Sequence, residues 1–261
     1  MIESFYYPKF GPGQMWETAA EKFRELGGQI LFNCEVTHLK KRDNRIETVC
    51  YIDNGAKKEL EADAVFSSMP LKNLVQGINE VPDNIRSIAQ GLPYRDFVTV
   101  GVLVKKLLVK NETDIPTLNH IVPDCWIYVQ DRGMKLGRIQ IFNNWSPYMV
   151  KQPEDTVWIG LEYFCTQGDA MWNRSPEEWK NLGQKELVAM GILSEDEEIL
   201  SYHCEKVEKA YPAYFDTYSA IGELQDWLNG IDNLYCIGRN GQHRYNNMDH
   251  SMMTAMEAVT I

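Results

Sequence analysis

No stretch of this 261-residue sequence reaches the ~20 consecutive apolar residues that cross a bilayer. The opening decapeptide, MIESFYYPKF, lacks a basic region followed by a long apolar one, so it does not read as a secretory signal. Positive charge is in deficit: 26 Lys and Arg stand against 37 Asp and Glu, and the net charge of -11 argues against a nucleic-acid backbone as partner. Cys34, Cys50, Cys125, Cys165, Cys204 and Cys236 are far apart and form no CxxC, which predicts reduced, mostly buried thiols in a cytoplasmic protein. The five histidines show no HExxH or comparable spacing, so no metal site is expected. Ser219 and Ser251 lack a GxSxG context, and no pair of carboxylates is singled out by its spacing. There is no internal repeat and no low-complexity linker.

With 44% hydrophobic and 24% charged residues, the chain can fill a substantial core in one large domain or two. A Pro- and Gly-punctuated loop, Ser4 to Gly13, leads into a helix marked by Met15, Ala19, Phe23 and Leu26 and stopped by Gly27-Gly28. Alternation of Ile30, Phe32, Cys34 and Val36 predicts a strand from Gln29 to His38. A second strand follows over Ile46 to Ile52, with a hairpin signal at Asp53-Asn54-Gly55, and a third over Ala62 to Phe66. Leu71 to Gly91 reads as helix and loop broken at Pro82. Strands are predicted at Phe97 to Val104, Trp126 to Gln130, Arg138 to Phe142 and Val157 to Phe164; four strands with few helices between them imply an antiparallel sheet. Ser175-Pro176-Glu177-Glu178 announces a helix to Met190, and the acidic run Glu195 to Glu198 reads as a solvated face.

The chemistry is concentrated near the C-terminus, in LYCIGRNGQHRYNNMDHSMMTAM. Leu234 to Ile237 is a short apolar strand. Gly238-Arg239-Asn240-Gly241 is a turn that lets backbone pass close to a neighbour. Asn247 is placed to cap a helix, Asp249 suits its positive end, and Met248, Met252, Ala255 and Met256 share one face. Strand, glycine turn and helix start together make a place for an anion or an electron-rich ring.

The string GRNGQHRYNNMDHS resembles the C-terminal flavin-contacting motif of the flavin amine oxidase and protoporphyrinogen oxidase superfamily, and also the Gly-Arg…Tyr…Met-Asp segment of UDP-galactopyranose mutases. The opening loop and helix are similar to the superfamily's YPxxGxGxM segment, and Ala210-Tyr211-Pro212-Ala213-Tyr214 resembles its AYPxY turn. The resemblance implies an α+β chain: an antiparallel-sheet substrate domain, residues 71–210, inserted in part of an FAD-binding α/β domain formed by residues 1–70 and 211–261. It implies FAD contacts at Gly238, Arg239, Asn247, Met248 and Asp249, with a further backbone contact at Val36. Arg95, Tyr211, Tyr214 and Tyr245 become the candidates for a small-molecule substrate, which in the mutase variant is a nucleotide sugar. No protein-borne catalytic residue is expected, since in such enzymes the cofactor carries the reaction.

The superfamily opens with a GxGxxG segment that holds the ADP half of FAD, and this chain has none; Gly11-Pro12-Gly13 is preceded by no apolar strand and is interrupted by proline. The chain therefore reads as the C-terminal part of a longer enzyme, expected on its own to be inactive and free of FAD. Its cofactor-sheet strand would lack neighbours, with homodimerisation through that face as a corollary. Three functions follow: an FAD-dependent oxidoreductase moving a hydride from an organic substrate to flavin; a sugar-nucleotide isomerase using reduced FAD; and a non-catalytic fragment or scaffold.

Overall fold

The structure, a computed structural model, describes residues 6–260; Ser4 and Phe5, at the head of the expected opening loop, lie outside them. In chain order the elements are α1 (Pro12–Glu25), β1 (Cys34–Arg42), β2 (Arg45–Asp53), β3 (Ala56–Glu61), β4 (Val65–Ser67), α2 (Leu71–Gly77), α3 (Asp83–Gly91) and β5 (Tyr94–Val104). They continue with β6 (Trp126–Tyr128), β7 (Arg138–Ile141), α4 (Phe142–Trp145), β8 (Val157–Cys165), α5 (Pro176–Ala189), β9 (Ser201–Pro212), α6 (Ile221–Asn229), β10 (Leu234–Cys236), α7 (Gly238–Gly241) and α8 (Met248–Val259). The chain is α+β. Among the described residues, no helix is long and apolar enough to cross a membrane.

Two compact units result: Met1–Ile30 with Asp96–Glu208, and Leu31–Arg95 with Lys209–Ile261. This division differs from 1–70 and 71–210 in two places, and local packing explains both. Residues before 31 side with the first unit because Ser146 Oγ donates to the Lys9 carbonyl (2.6 Å), Tyr7 stacks on Trp145 (5.1 Å) and Gly11 leaves room only for the Met149 sulfur. Residues 71–95 side with the second because α2 and α3 supply Leu71, Leu74, Val75, Ile85 and Ile88 to its core, against Leu224, Leu228 and Leu234. The chain passes between units inside β5 and β9, so the return after residue 208 falls just before the Ala210–Tyr214 segment, whose first three residues end β9.

The first unit is built on the five-stranded sheet β6-β7-β8-β5-β9. β6 with β7, β7 with β8 and β8 with β5 pair antiparallel, with Val98 opposite Tyr163 and Ile139 opposite Leu161. Alternation puts Val98, Val100, Val102, Ile159, Leu161 and Tyr163 on one face, all fully buried, and α5 covers them with Trp179 and Leu187. Ser175 caps α5 with a complete capping box to Glu178. The acidic run is not wholly solvated: Glu197 is buried and accepts the backbone N–H groups of Lys105 and Lys106 (2.8 and 3.3 Å).

The second unit holds the antiparallel sheet β1-β2-β3 and the parallel pair β10-β4. Asn54 and Gly55, with φ of 48° and 83°, make the expected tight hairpin, and it joins β2 to β3. The first strand starts later than its alternation suggested. Leu31 and Phe32 are exposed and Asn33 turns left-handed (φ 57°), so pairing begins at Cys34 and runs on through charged residues to Arg42. Asn233, 3% exposed, ties the two sheets of this unit: its amide accepts from Ile46 N–H and donates to the Ile46 and Asp63 carbonyls (2.8, 2.8 and 3.1 Å). All six cysteines are free, but only Cys165 is buried; the others are half-buried.

Candidate functional site

The C-terminal stretch lies wholly in the second unit. β4 and β10 run parallel, with Val65 beside Leu234 and Ser67 beside Cys236, so both chains turn away at the same end. Outside the carboxyl ends of parallel strands is where ligands collect in α/β sheets. Here that end is closed by the Ser67-Ser68-Met69-Pro70 turn and by Gly238–Gly241, which is a single helical turn rather than an open loop.

Two glycines are required there. Gly238 has φ 71°, and its N–H donates to Thr254 Oγ1 (2.8 Å). At Gly241 a Cβ would stand 2.5 Å from the Ser67 carbonyl oxygen, so no larger residue fits without moving β4. Ile237 N–H donates to the same carbonyl (2.9 Å), fastening the turn to the strand end.

Arg239 is half-buried and holds the loop that follows. Its Nε and Nη2 donate to the Asn246 carbonyl (3.0 and 2.6 Å), and its Nη1 donates to that of Ala210 (3.2 Å). The guanidinium lies 4.7 Å from the Tyr245 ring and 5.4 Å from that of Tyr211, and these two rings stack at 5.8 Å. Tyr214 joins them, accepting the Tyr245 N–H on its hydroxyl (2.6 Å). Arg239, Tyr211, Tyr214 and Tyr245 thus form one cluster. Arg95 is exposed on β5, the sheet neighbour of the β9 strand that carries Tyr211, and Val36 is on β1, opposite Tyr51 and in the other sheet of the unit.

Asn247 is at the N-cap of α8, yet its side chain accepts no capping hydrogen bond. Instead Asn246, 9% exposed, accepts from Ser251 Oγ (2.9 Å). The N–H groups of Met248 and Asp249 therefore have no partner among the described residues, and they sit at the positive end of the helix. Met248, Met253, Met256 and Val259 are exposed, so much of α8's apolar surface faces outward.

Behind the cluster His243 is fully buried with φ 46°, bonded through Nε2 to the Ala213 carbonyl (3.0 Å) and packed edge-on to Tyr94 (4.7 Å). Burial pulls its imidazole below the usual histidine range and pushes the Tyr94 phenol up to about 12. Burial likewise pushes the Cys236 thiol up to about 11, which leaves it un-ionised near neutrality. Sequence reasoning missed Asn246, Ser251, Thr254 and His243. Nothing in NN distinguishes the residue that caps from the one that braces, and Thr254 reaches Gly238 only through the fold.

A family model described as flavin containing amine oxidoreductase matches residues 3–245. Among solved structures, reduced UDP-galactopyranose mutase superposes with a TM-score of 0.79 at 21% identity, covering 97% of this chain and 52% of that one. A protein of Exiguobacterium sp. 255-15 described as a protoporphyrinogen oxidase gives 0.62 at 12% identity (94% and 51%). Putrescine oxidase bound to putrescine gives 0.61 at 16% (96% and 52%). Among curated proteins none matches the chain in sequence. The chain spans about half the length of these solved structures and shares their fold. With nearly its whole length matched, the chain belongs to the flavin containing amine oxidoreductase family.

Proposed function

We propose that this chain is the C-terminal part of an FAD-dependent oxidoreductase acting on a small organic substrate. In this reading Gly238, Arg239, Asn247, Met248 and Asp249, with the backbone of Val36, hold the cofactor. Arg95, Tyr211, Tyr214 and Tyr245 face the substrate. Residues 31–95 and 209–261 then form the cofactor part, and 96–208 the substrate part.

One observation carries the proposal. The unbonded N–H groups that open α8 stand in the same structural unit as a glycine turn sealed against two parallel strand ends. That donor set fits an electron-rich ring edge, because fixed N–H dipoles stabilise negative charge without reorganising. Arg239 spends at least three donations on carbonyls, so its first task here is to fix the α7–α8 geometry; its charge remains to offset a diphosphate. The three tyrosines would shield the site from water and offer ring faces to a substrate. When bound, FAD would supply hydride abstraction from a substrate C–H bond. Among the described residues β4 pairs on one side only, with Phe66 exposed, which gives a further segment or a second copy an edge to join.

The likeness to UDP-galactopyranose mutase favours a second reading, a sugar-nucleotide isomerase using reduced FAD. Turnover of UDP-galactopyranose by the reduced full-length enzyme supports the isomerase; substrate-dependent bleaching of the flavin supports the oxidoreductase. Asp249→Arg in that enzyme tests the site itself. It should lower bound flavin, since a cation at a helix start opposes the dipole. Unchanged flavin content and potential would count against placing the cofactor here.

A further inference from the structure

Far from the C-terminal motif in sequence, the first unit carries a concavity of about 290 Å³ that the reading above does not use. It opens just past the end of β5, about 26 Å along that strand from Asp96, where the chain re-enters the unit, at ~3.3 Å per residue. Its floor is apolar: Leu107, Ile121 and Val157 are 8%, 5% and 1% exposed. Its rim carries Lys105, Lys106 and Lys110, all exposed, with one carboxylate among the lining residues, that of Glu154.

None of these three lysines forms an ion pair among the described residues. The nearby buried carboxylate, Glu197, is turned to the Lys105 and Lys106 backbone N–H groups rather than to their ammonium ends. In a chain of net charge -11, three unpaired cations around one hollow outnumber the carboxylates beside it, Glu154 and Glu197. The walls are also fixed. Leu108 N–H donates to the Ile192 carbonyl (2.8 Å) and Asn111 N–H to that of His120 (2.8 Å). The Asn119 side chain donates to the Pro153 carbonyl (3.2 Å) and to that of Glu154.

We infer that this hollow is a binding site for a phosphate ester. Ammonium groups on flexible stems are point-charge phosphate ligands, and three of them suit a dianion better than a single carboxylate. The apolar floor takes the carbon body that an inorganic ion lacks.

Titration calorimetry on the purified chain tests this, with phenyl phosphate and inorganic phosphate as probes at matched ionic strength. Phenyl phosphate binds more tightly than inorganic phosphate, and added salt weakens both. A Lys105→Gln/Lys106→Gln/Lys110→Gln variant loses about tenfold or more in affinity. A control with the same charge change elsewhere, Lys22→Gln/Lys57→Gln/Lys135→Gln, retains it, and Glu154→Gln binds more tightly. Equal affinity in the two triple variants overturns the site, as does no heat with phenyl phosphate. Binding seen only with vesicles of anionic phospholipid, and not with the soluble ester, also overturns it in favour of a membrane surface.

Discussion

The guanidinium of Arg239 donates twice to the carbonyl oxygen of Asn246, at 3.0 and 2.6 Å, across a loop of six residues. This pair sets where α8 begins, since Asn246 also takes the Ser251 hydroxyl and so braces the first turn of that helix. Only a planar fork can make both donations while lying against Tyr245. Arg239→Lys keeps the charge but not the fork. It should lower stability by about 1–3 kcal/mol, read from the urea midpoint at constant slope.

Gly241 meets the end of β4 at its backbone. Gly241→Ala puts a methyl group 2.5 Å from the Ser67 carbonyl oxygen, where only a backbone shift relieves it. We expect a loss of about 2 kcal/mol or more in chemical denaturation. Gly222, whose Cβ position is open, is the control; Gly222→Ala should be neutral or slightly stabilising because it lies inside α6.

Asn233 satisfies both backbone groups of Ile46 from 187 residues away in sequence. Asn233→Ala leaves that N–H and carbonyl buried without a partner, at a cost of about 2–4 kcal/mol. Hydrogen exchange at Ile46 should accelerate by more than the global loss of stability accounts for.

His243 gives the fold a pH dependence. Its folded pKa is lowered by burial, so the unfolded chain takes up this proton first, near about pH 6.5. The contribution is fully present above that value and is lost as pH falls towards the folded pKa. Melting temperature should drop more steeply between about pH 7 and pH 5 in the native protein than in His243→Gln, which has no group to protonate. Parallel curves would show that other groups dominate.

The parts legible in the sequence are those dictated by local chemistry. The β-branched run of β5, the Asn54-Gly55 hairpin and the Ser175 capping box each carry their own instruction. The Gly-Arg turn and the start of α8 were legible as well, because glycine is needed where the backbone turns and Asn247 does stand at the N-cap, although its side chain makes no capping bond. β3 was less so: AKKELE is exposed throughout and is a strand only because the hairpin lays it on β2. The alternation of Ile30 to Val36 misplaced β1, since Leu31 and Phe32 are largely exposed and a pattern of apolar residues does not say what will cover them. Buried Glu186 and Glu197 were invisible for a related reason: each serves backbone N–H groups brought to it by tertiary contacts at Lys135–Leu136 and Lys105–Lys106.

The central claim is that Gly238 to Asp249 is one side of a flavin site whose other side comes from a GxGxxG segment. Flavin stoichiometry, read from visible absorbance after purification, tests it most directly. It should be measured on the 261-residue chain and on a fusion that places a dinucleotide-binding half from the same family ahead of Met1. The account predicts a colourless chain, a yellow fusion with one FAD per polypeptide, and loss of that colour with Asp249→Arg. Stoichiometric flavin in the 261-residue chain alone, or a folded fusion that holds none, would contradict it.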